Sequence, residues 1–311
     1  MTSTPSSLVL GFVWGLAPGD VEPFSRSLRA TGYKGRLGLV LAQYADDEAR
    51  AVDVLADFSV QVDREYEYAS RRLVNALRWM THSRAVWRAY SIAFSFVAGA
   101  TRPSLRLARW RAYECRLEGF AALRWGHYYD VLHALSGADQ VLLTDVRDVV
   151  FQRDPFESRV EGLEVFLEDP SMTLGSQPHN RKWLLDLYGS QELAAIGNEV
   201  VSCCGTVAGG SEPILTYVEA MWQEITRRRR PVGNRDQAIH NYLLRRGELG
   251  PVTIVPNGQG RVLTMGGMRR IQSDESGTIL NDDGLASPIL HQYDRHPDLA
   301  VKLLGRIGSP A

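Results

Sequence analysis

Cysteine is scarce in this chain: three in 311 residues, Cys115, Cys203 and Cys204, with the last two adjacent. An odd count in that arrangement is not the paired framework of a secreted disulfide scaffold, and a reducing cytoplasm is the expected setting. No run of about 18 or more apolar residues occurs, so no spanning helix is expected. The opening stretch SSLVLGFVWGLAPGD lacks the basic flank and small-residue cleavage site of a signal peptide and reads as a first strand. An excess of either charge is missing too. The 35 Lys and Arg against 36 Asp and Glu leave a formal net charge of -1, which argues against wholesale binding to nucleic acid or to a membrane surface. There is no internal repeat and no low-complexity tract.

What is present is alternation of strand and helix. Leu8 to Trp14 is an apolar run, the Ala17-Pro18-Gly19-Asp20 turn follows, and Phe24, Leu28 and Ala30 keep helical spacing before a second apolar run at Leu37 to Leu41. Asp46, Asp47 and Glu48 open another helical pattern that continues to Phe58, and Val60 to Val62 reads as a short third strand. Residues 64 to 115 alternate arginines with aromatics and read as a helical insertion, with an acceptor-binding or membrane-facing lobe as the alternative. Arg116 to Leu135 predicts an amphipathic helix and Val141 to Thr144 a strand. Later strands are expected at Val165 to Leu167, Val200 to Val207 and Val252 to Val255. Helices are expected around Trp183 to Tyr188, from Pro213 to Arg228 and over Asp236 to Leu244. The stretch from Gly258 to Ser287 is rich in Gly, Ser and Asp and reads mostly as loop.

The densest chemistry lies in VLLTDVRDVVFQRDPF, Val141 to Phe156. An apolar strand ends there in Asp145, with Arg147 and Asp148 beside it. Two carboxylates at the end of a central strand can hold a divalent cation against the diphosphate of a nucleotide, and Arg147 could instead supply positive charge itself. Cys204-Gly205-Thr206 follows an apolar strand, and Gly205 permits close approach of backbone to a ligand. Asp236 and Gln237 open a helix, where backbone N-H groups and the dipole favour anionic groups. Arg116 and Arg124 lie on similar helix faces, and their guanidinium forks suit phosphate oxygens. Phe12 and Trp14, at the end of the first strand, are candidates to frame a base.

The order of these segments, DVRDVVFQRDPF, then NEVVSCCGTVAGG, NRDQAIHNYLL and a late HQYDRHP, resembles the GT-A clan of nucleotide-sugar glycosyltransferases. The resemblance implies an α/β, Rossmann-type mixed sheet flanked by helices with a helical insertion. It implies a single catalytic domain over residues 1–311, with a nucleotide-binding half to about 150 and an acceptor-binding half from 151 to 311. It assigns Asp145, Asp148 and His291 to a manganese or magnesium ion. Asp236 and Gln237 fall at the donor sugar and reaction centre. Phe12, Trp14, Arg116, Arg124, Asp145, Arg147, Asp148, Gly205 and Thr206 fall to the donor. The partners so implied are a nucleotide diphosphate sugar and an acceptor glycan or small molecule, with no nucleic acid, and retention of anomeric configuration is favoured. The usual Asp-x-Asp is altered here, because Arg147 stands between the two carboxylates and the second Asp comes one residue later. Two rivals remain: a non-catalytic nucleotide- or carbohydrate-binding protein of the same fold, and a magnesium-dependent phosphatase of the haloacid dehalogenase type using Asp282 and Asp283.

Overall fold

The computed structural model describes residues 6–42, 46–61, 120–135, 137–228, 232–268 and 270–308. Arg116 and the expected insertion at about 64–115 lie outside the described residues.

The first half alternates as the periodicity predicts: β1 (Ser7–Trp14), α1 (Pro18–Ala30), β2 (Arg36–Ala42), α2 (Asp46–Asp53), β3 (Phe58–Gln61), α3 (Phe120–Ala134) and β4 (Gln140–Thr144). Phe58, read from the sequence as part of a helix, instead begins β3. Its ring lies under the Arg36 guanidinium, 4.8 Å from the centroid. After a short strand β5 (Val149–Phe151) come β6 (Leu163–Leu167), α4 (Pro178–Tyr188), α5 (Ser190–Ile196), β7 (Ser202–Gly210), α6 (Ser211–Arg227), α7 (Asp236–Arg245) and β8 (Val252–Val255). The stretch expected to be mostly loop carries β9 (Val262–Thr264), β10 (Gln272–Ser273) and β11 (Ile279–Leu280). It is followed by β12 (Ile289–His291) and a terminal helix α8 (Pro297–Gly308).

Seven strands form one mixed sheet in the order β3-β2-β1-β4-β7-β6-β8. β7 runs antiparallel to both neighbours, and the other pairings are parallel. The near-continuous apolar strands follow from burial on both faces. Alternate residues of β4 serve opposite cores: Val141 and Leu143 pack with Trp125 of α3 and Tyr217 of α6, whereas Leu142 packs with Phe24 and Leu28 of α1. The stripe expected on α3 is wider than a stripe. Residues 121–126 are all buried, because the helix is wedged between the sheet and α6, with the Trp125 and Tyr217 rings edge to face at 5.3 Å. A second sheet, β5-β12-β9, sits beyond the end of β4.

The chain runs from β1 outward to β2 and β3, then returns to the other side of β1 at β4. In open α/β sheets such a reversal leaves a crevice at the carboxyl ends of the strands, where ligands bind. Here those ends are Trp14 and Asp145. Because β7 is antiparallel, its amino end lies at the same edge, as its Thr206 pairs with Thr144 and its Cys203 with Phe166 near the end of β6. One sheet edge therefore collects Trp14, Asp145, Glu168 and Cys203 to Gly205. No described helix is long and apolar enough to cross a membrane.

Candidate functional site

A cleft of about 810 Å³ opens along this edge. Among the residues expected at a site, Phe12, Trp14, Arg124, Asp145, Arg147, Asp148, Gly205, Asp236 and Gln237 all line it. Thr206 does not: it is fully buried within the sheet, opposite Thr144. Cys203 and Cys204 are buried free thiols pushed well above the usual range by burial, which leaves no ready thiolate.

At the centre lie Asp145, Asp148 and His291, whose candidate ligand atoms all fall within 4.8 Å of one another. The backbone explains the convergence. Asp145 leaves β4 with its N-H donated to the Gly205 carbonyl at 2.7 Å, and the chain turns at once into β5. In the second sheet His291 pairs with Val149, and Gln292 donates its N-H to the Asp148 carbonyl at 2.8 Å, so strand register brings His291 beside Asp148. Gln292 has φ 58°, the left-handed region that a non-glycine residue rarely adopts, at the edge of the same site.

His291 Nε2 lies 3.7 Å from Asp145 Oδ2 and 3.9 Å from Asp148 Oδ1, too far for hydrogen bonds. Among the described residues, neither nitrogen of this fully buried ring has a hydrogen-bond partner. A buried imidazole with both nitrogens unmatched, facing two carboxylates, suits a cation held between them. Gly205 keeps that space clear, since a Cβ there would lie 2.4 Å from Asp145 Oδ2 and 3.0 Å from His291 Cε1. The three side chains therefore fit a divalent metal ion.

Electrostatics agree with shared charge. Burial works against ionisation of Asp145, yet Arg124 and then His291 outweigh it and hold its carboxyl below the usual range. Burial pushes Asp148 up, against the pull of His291 and with the help of the Asp145 charge. Burial opposes protonation of His291, but the Asp145 and Asp148 carboxylates raise it above the ordinary imidazole value.

Arg124 is only 6% exposed and joins two elements. Its Nη1 donates to Asp145 Oδ1 at 2.6 Å, and its Nη2 donates to Asp236 Oδ2 at 2.7 Å. The Asp236 carboxylate, at the first turn of α7, also accepts from Trp125 Nε1 at 3.0 Å and from the Gln237 N-H at 3.0 Å. Asp145 is thus divided in function: Oδ1 is committed to Arg124, and Oδ2 faces His291. At the mouth, Arg147 and Arg295 share one carboxylate oxygen, Asp294 Oδ2, at 3.0 Å and 3.6 Å. Both arginines line the cleft.

Glu168, Asn180, Trp183 and Arg295, none of them among the residues expected at a site, also line the cleft. Gln237 Nε2 donates to Asn180 Oδ1 at 3.1 Å and to Glu168 Oε1 at 3.3 Å, and burial pushes the Glu168 carboxyl up. A carboxylate ending a strand was a readable signal at Asp145. The same signal stands at Glu168, which closes the run LEVFLE. Asp283, by contrast, lines a separate hollow of about 320 Å³ with Arg261 and not the main cleft. No family profile matches the chain, and no curated protein matches it in sequence.

Proposed function

We propose that this chain is a GT-A-type glycosyltransferase that moves a sugar from a nucleotide diphosphate sugar to an acceptor hydroxyl, with retention and with a manganese or magnesium ion. The observation that carries it is the Asp145, Asp148 and His291 cluster, with both ring nitrogens unmatched, set at the switch point of a Rossmann-like sheet. Bound there, a divalent ion supplies Lewis acidity that stabilises negative charge on a leaving phosphate.

The remaining chemistry falls to the chain itself. Phe12 and Trp14, with ring centroids 6.2 Å apart, form an apolar wall for the base. Arg147 and Arg295 turn from Asp294 towards the diphosphate and match its oxygens as forked donors. In the reaction the bond from the anomeric carbon to the diphosphate oxygen breaks and its electron pair stays on the phosphate. The acceptor oxygen bonds to the same carbon, and its proton passes to the departing phosphate. Gln237 and Glu168 lie where the donor sugar sits and hold its hydroxyls. Asp236, with its carboxylate on Arg124 and Trp125, acts by fixing the start of α7 and hence Gln237. Such a fully engaged carboxylate is a poor general base, which favours retention over inversion.

Donor hydrolysis over a panel of UDP-, GDP-, dTDP- and CMP-sugars, with and without EDTA and added manganese, tests this reading. Metal-dependent release of a nucleotide from one donor is expected. Hydrolysis of p-nitrophenyl phosphate with no sugar nucleotide turned over would point to the phosphatase rival. Donor binding without turnover would point to the non-catalytic one.

A further inference from the structure

The cleft has two chemically different ends. The cations that line it, Arg124, Arg147 and Arg295, come from α3, the β4–β5 turn and the segment after β12. A separate part of the lining comes from the start of α4: its N-cap Gln177 with His179, Asn180 and Trp183, while Arg181 and Lys182 of that helix are not among the lining residues. At about 810 Å³ the cleft lies towards the upper end of small-molecule sites, roughly 300–1,000 Å³, which leaves room for a second ligand beside a donor.

The start of α4 is held by hydrogen bonds. Gln177 caps the helix by accepting the Asn180 N-H at 3.0 Å, and Pro178 occupies the first turn. Asn180 is buried and holds Gln237 through its Oδ1. Trp183 is half-buried, packs against the small core of Leu174, Leu184, Ile196 and Val201, and still presents surface to the cleft. His179, one turn earlier, sets its ring 5.8 Å from Trp183 at 37°. The wall therefore offers aromatic rings next to amides.

That combination selects among ligand chemistries. A phosphorylated group belongs at the arginine end. A lipid tail needs a continuous apolar groove, which these amides interrupt. A neutral ring bearing hydroxyls on its edge and C-H groups on its face matches both the Trp183 surface and the surrounding acceptors and donors. We propose that α4 forms the acceptor subsite and that the acceptor is a neutral saccharide whose less polar ring face lies on Trp183. This rests on the glycosyl-transfer reading and specifies its second substrate.

The test is steady-state kinetics of wild type, Trp183→Ala and Trp183→Phe, with methyl glycosides and disaccharides of glucose, galactose, mannose and N-acetylglucosamine as acceptors. Loss of the stacking surface in Trp183→Ala is expected to raise the acceptor KM about tenfold while the donor KM does not follow it, and Trp183→Phe is expected to restore most of the loss. An unchanged acceptor KM in Trp183→Ala, or donor and acceptor KM rising together, would overturn the assignment. A wild type that turns over no donor defeats the glycosyl-transfer reading separately. Saccharide titration followed by tryptophan fluorescence then decides the subsite alone: a response lost in Trp183→Phe supports it, and no response in wild type removes it.

Discussion

Arg124 carries two carboxylates on one guanidinium, and at 6% exposure it has little water to share the load. Replacing it by Met leaves Asp236 buried without its cation, and the loss of one partner from a buried ion pair costs about 3–5 kcal/mol. Urea denaturation of Arg124→Met should show a loss of that size. Arg124→Lys should recover only part of it, since a single ammonium does not reproduce a fork aimed at two separate acceptors. Gly205 is a second position where one residue decides the site. The Cβ of Gly205→Ala would press on Asp145 Oδ2 and His291 Cε1, so manganese affinity, measured by calorimetry or paramagnetic resonance, should fall by at least about tenfold. Circular dichroism should remain that of wild type.

At the scale of elements, α7 joins the site to the core through His240. Its ring is fully buried, with Nδ1 2.8 Å from Tyr217 Oη and Nε2 2.8 Å from Ser202 Oγ, so α7 is tied to α6 and to β7 at once. Burial, reinforced by the Arg245 and Arg124 charges, pushes this imidazole down to about 3. The native ring is therefore neutral, whereas the unfolded ring takes up a proton below about 6.5, so acid favours the unfolded state. Stability should fall by up to about 1.4 kcal/mol per pH unit from this group as pH drops from about 6.5 towards 3. Urea midpoints measured across that range should show a shallower slope in His240→Gln. The β4–β5 turn is the other decisive element. It was legible in the sequence because a buried strand that stops in Asp-Val-Arg-Asp changes from apolar to charged within one residue. Its partner strand β12 was less legible, because three residues within a Gly- and Asp-rich region make no periodic signal of their own.

Over the whole molecule, the cluster of Asp145, Asp148 and His291 joins segments at the ends of β4 and β12 that are 143 residues or more apart in sequence and belong to different sheets. A ligand that binds only the folded state stabilises it, by about 2.7 kcal/mol at one hundred times its dissociation constant. Manganese should therefore raise the urea midpoint of wild type, EDTA should reverse the gain, and His291→Ala should show neither effect. The alternation of strand and helix in the first half, the aspartates closing β4 and the helix opening at Asp236 are local properties. Each follows from hydrophobic spacing or from a charge at an element end, so the amino-acid sequence by itself determined them. The antiparallel insertion of β7, the assignment of one Asp145 oxygen to Arg124 and the other to His291, and the place of Trp183 in the cleft lining were decided only in three dimensions. They depend on strand order and register between distant segments, and a buried arginine or an unmatched imidazole acquires its meaning from neighbours that no local pattern specifies.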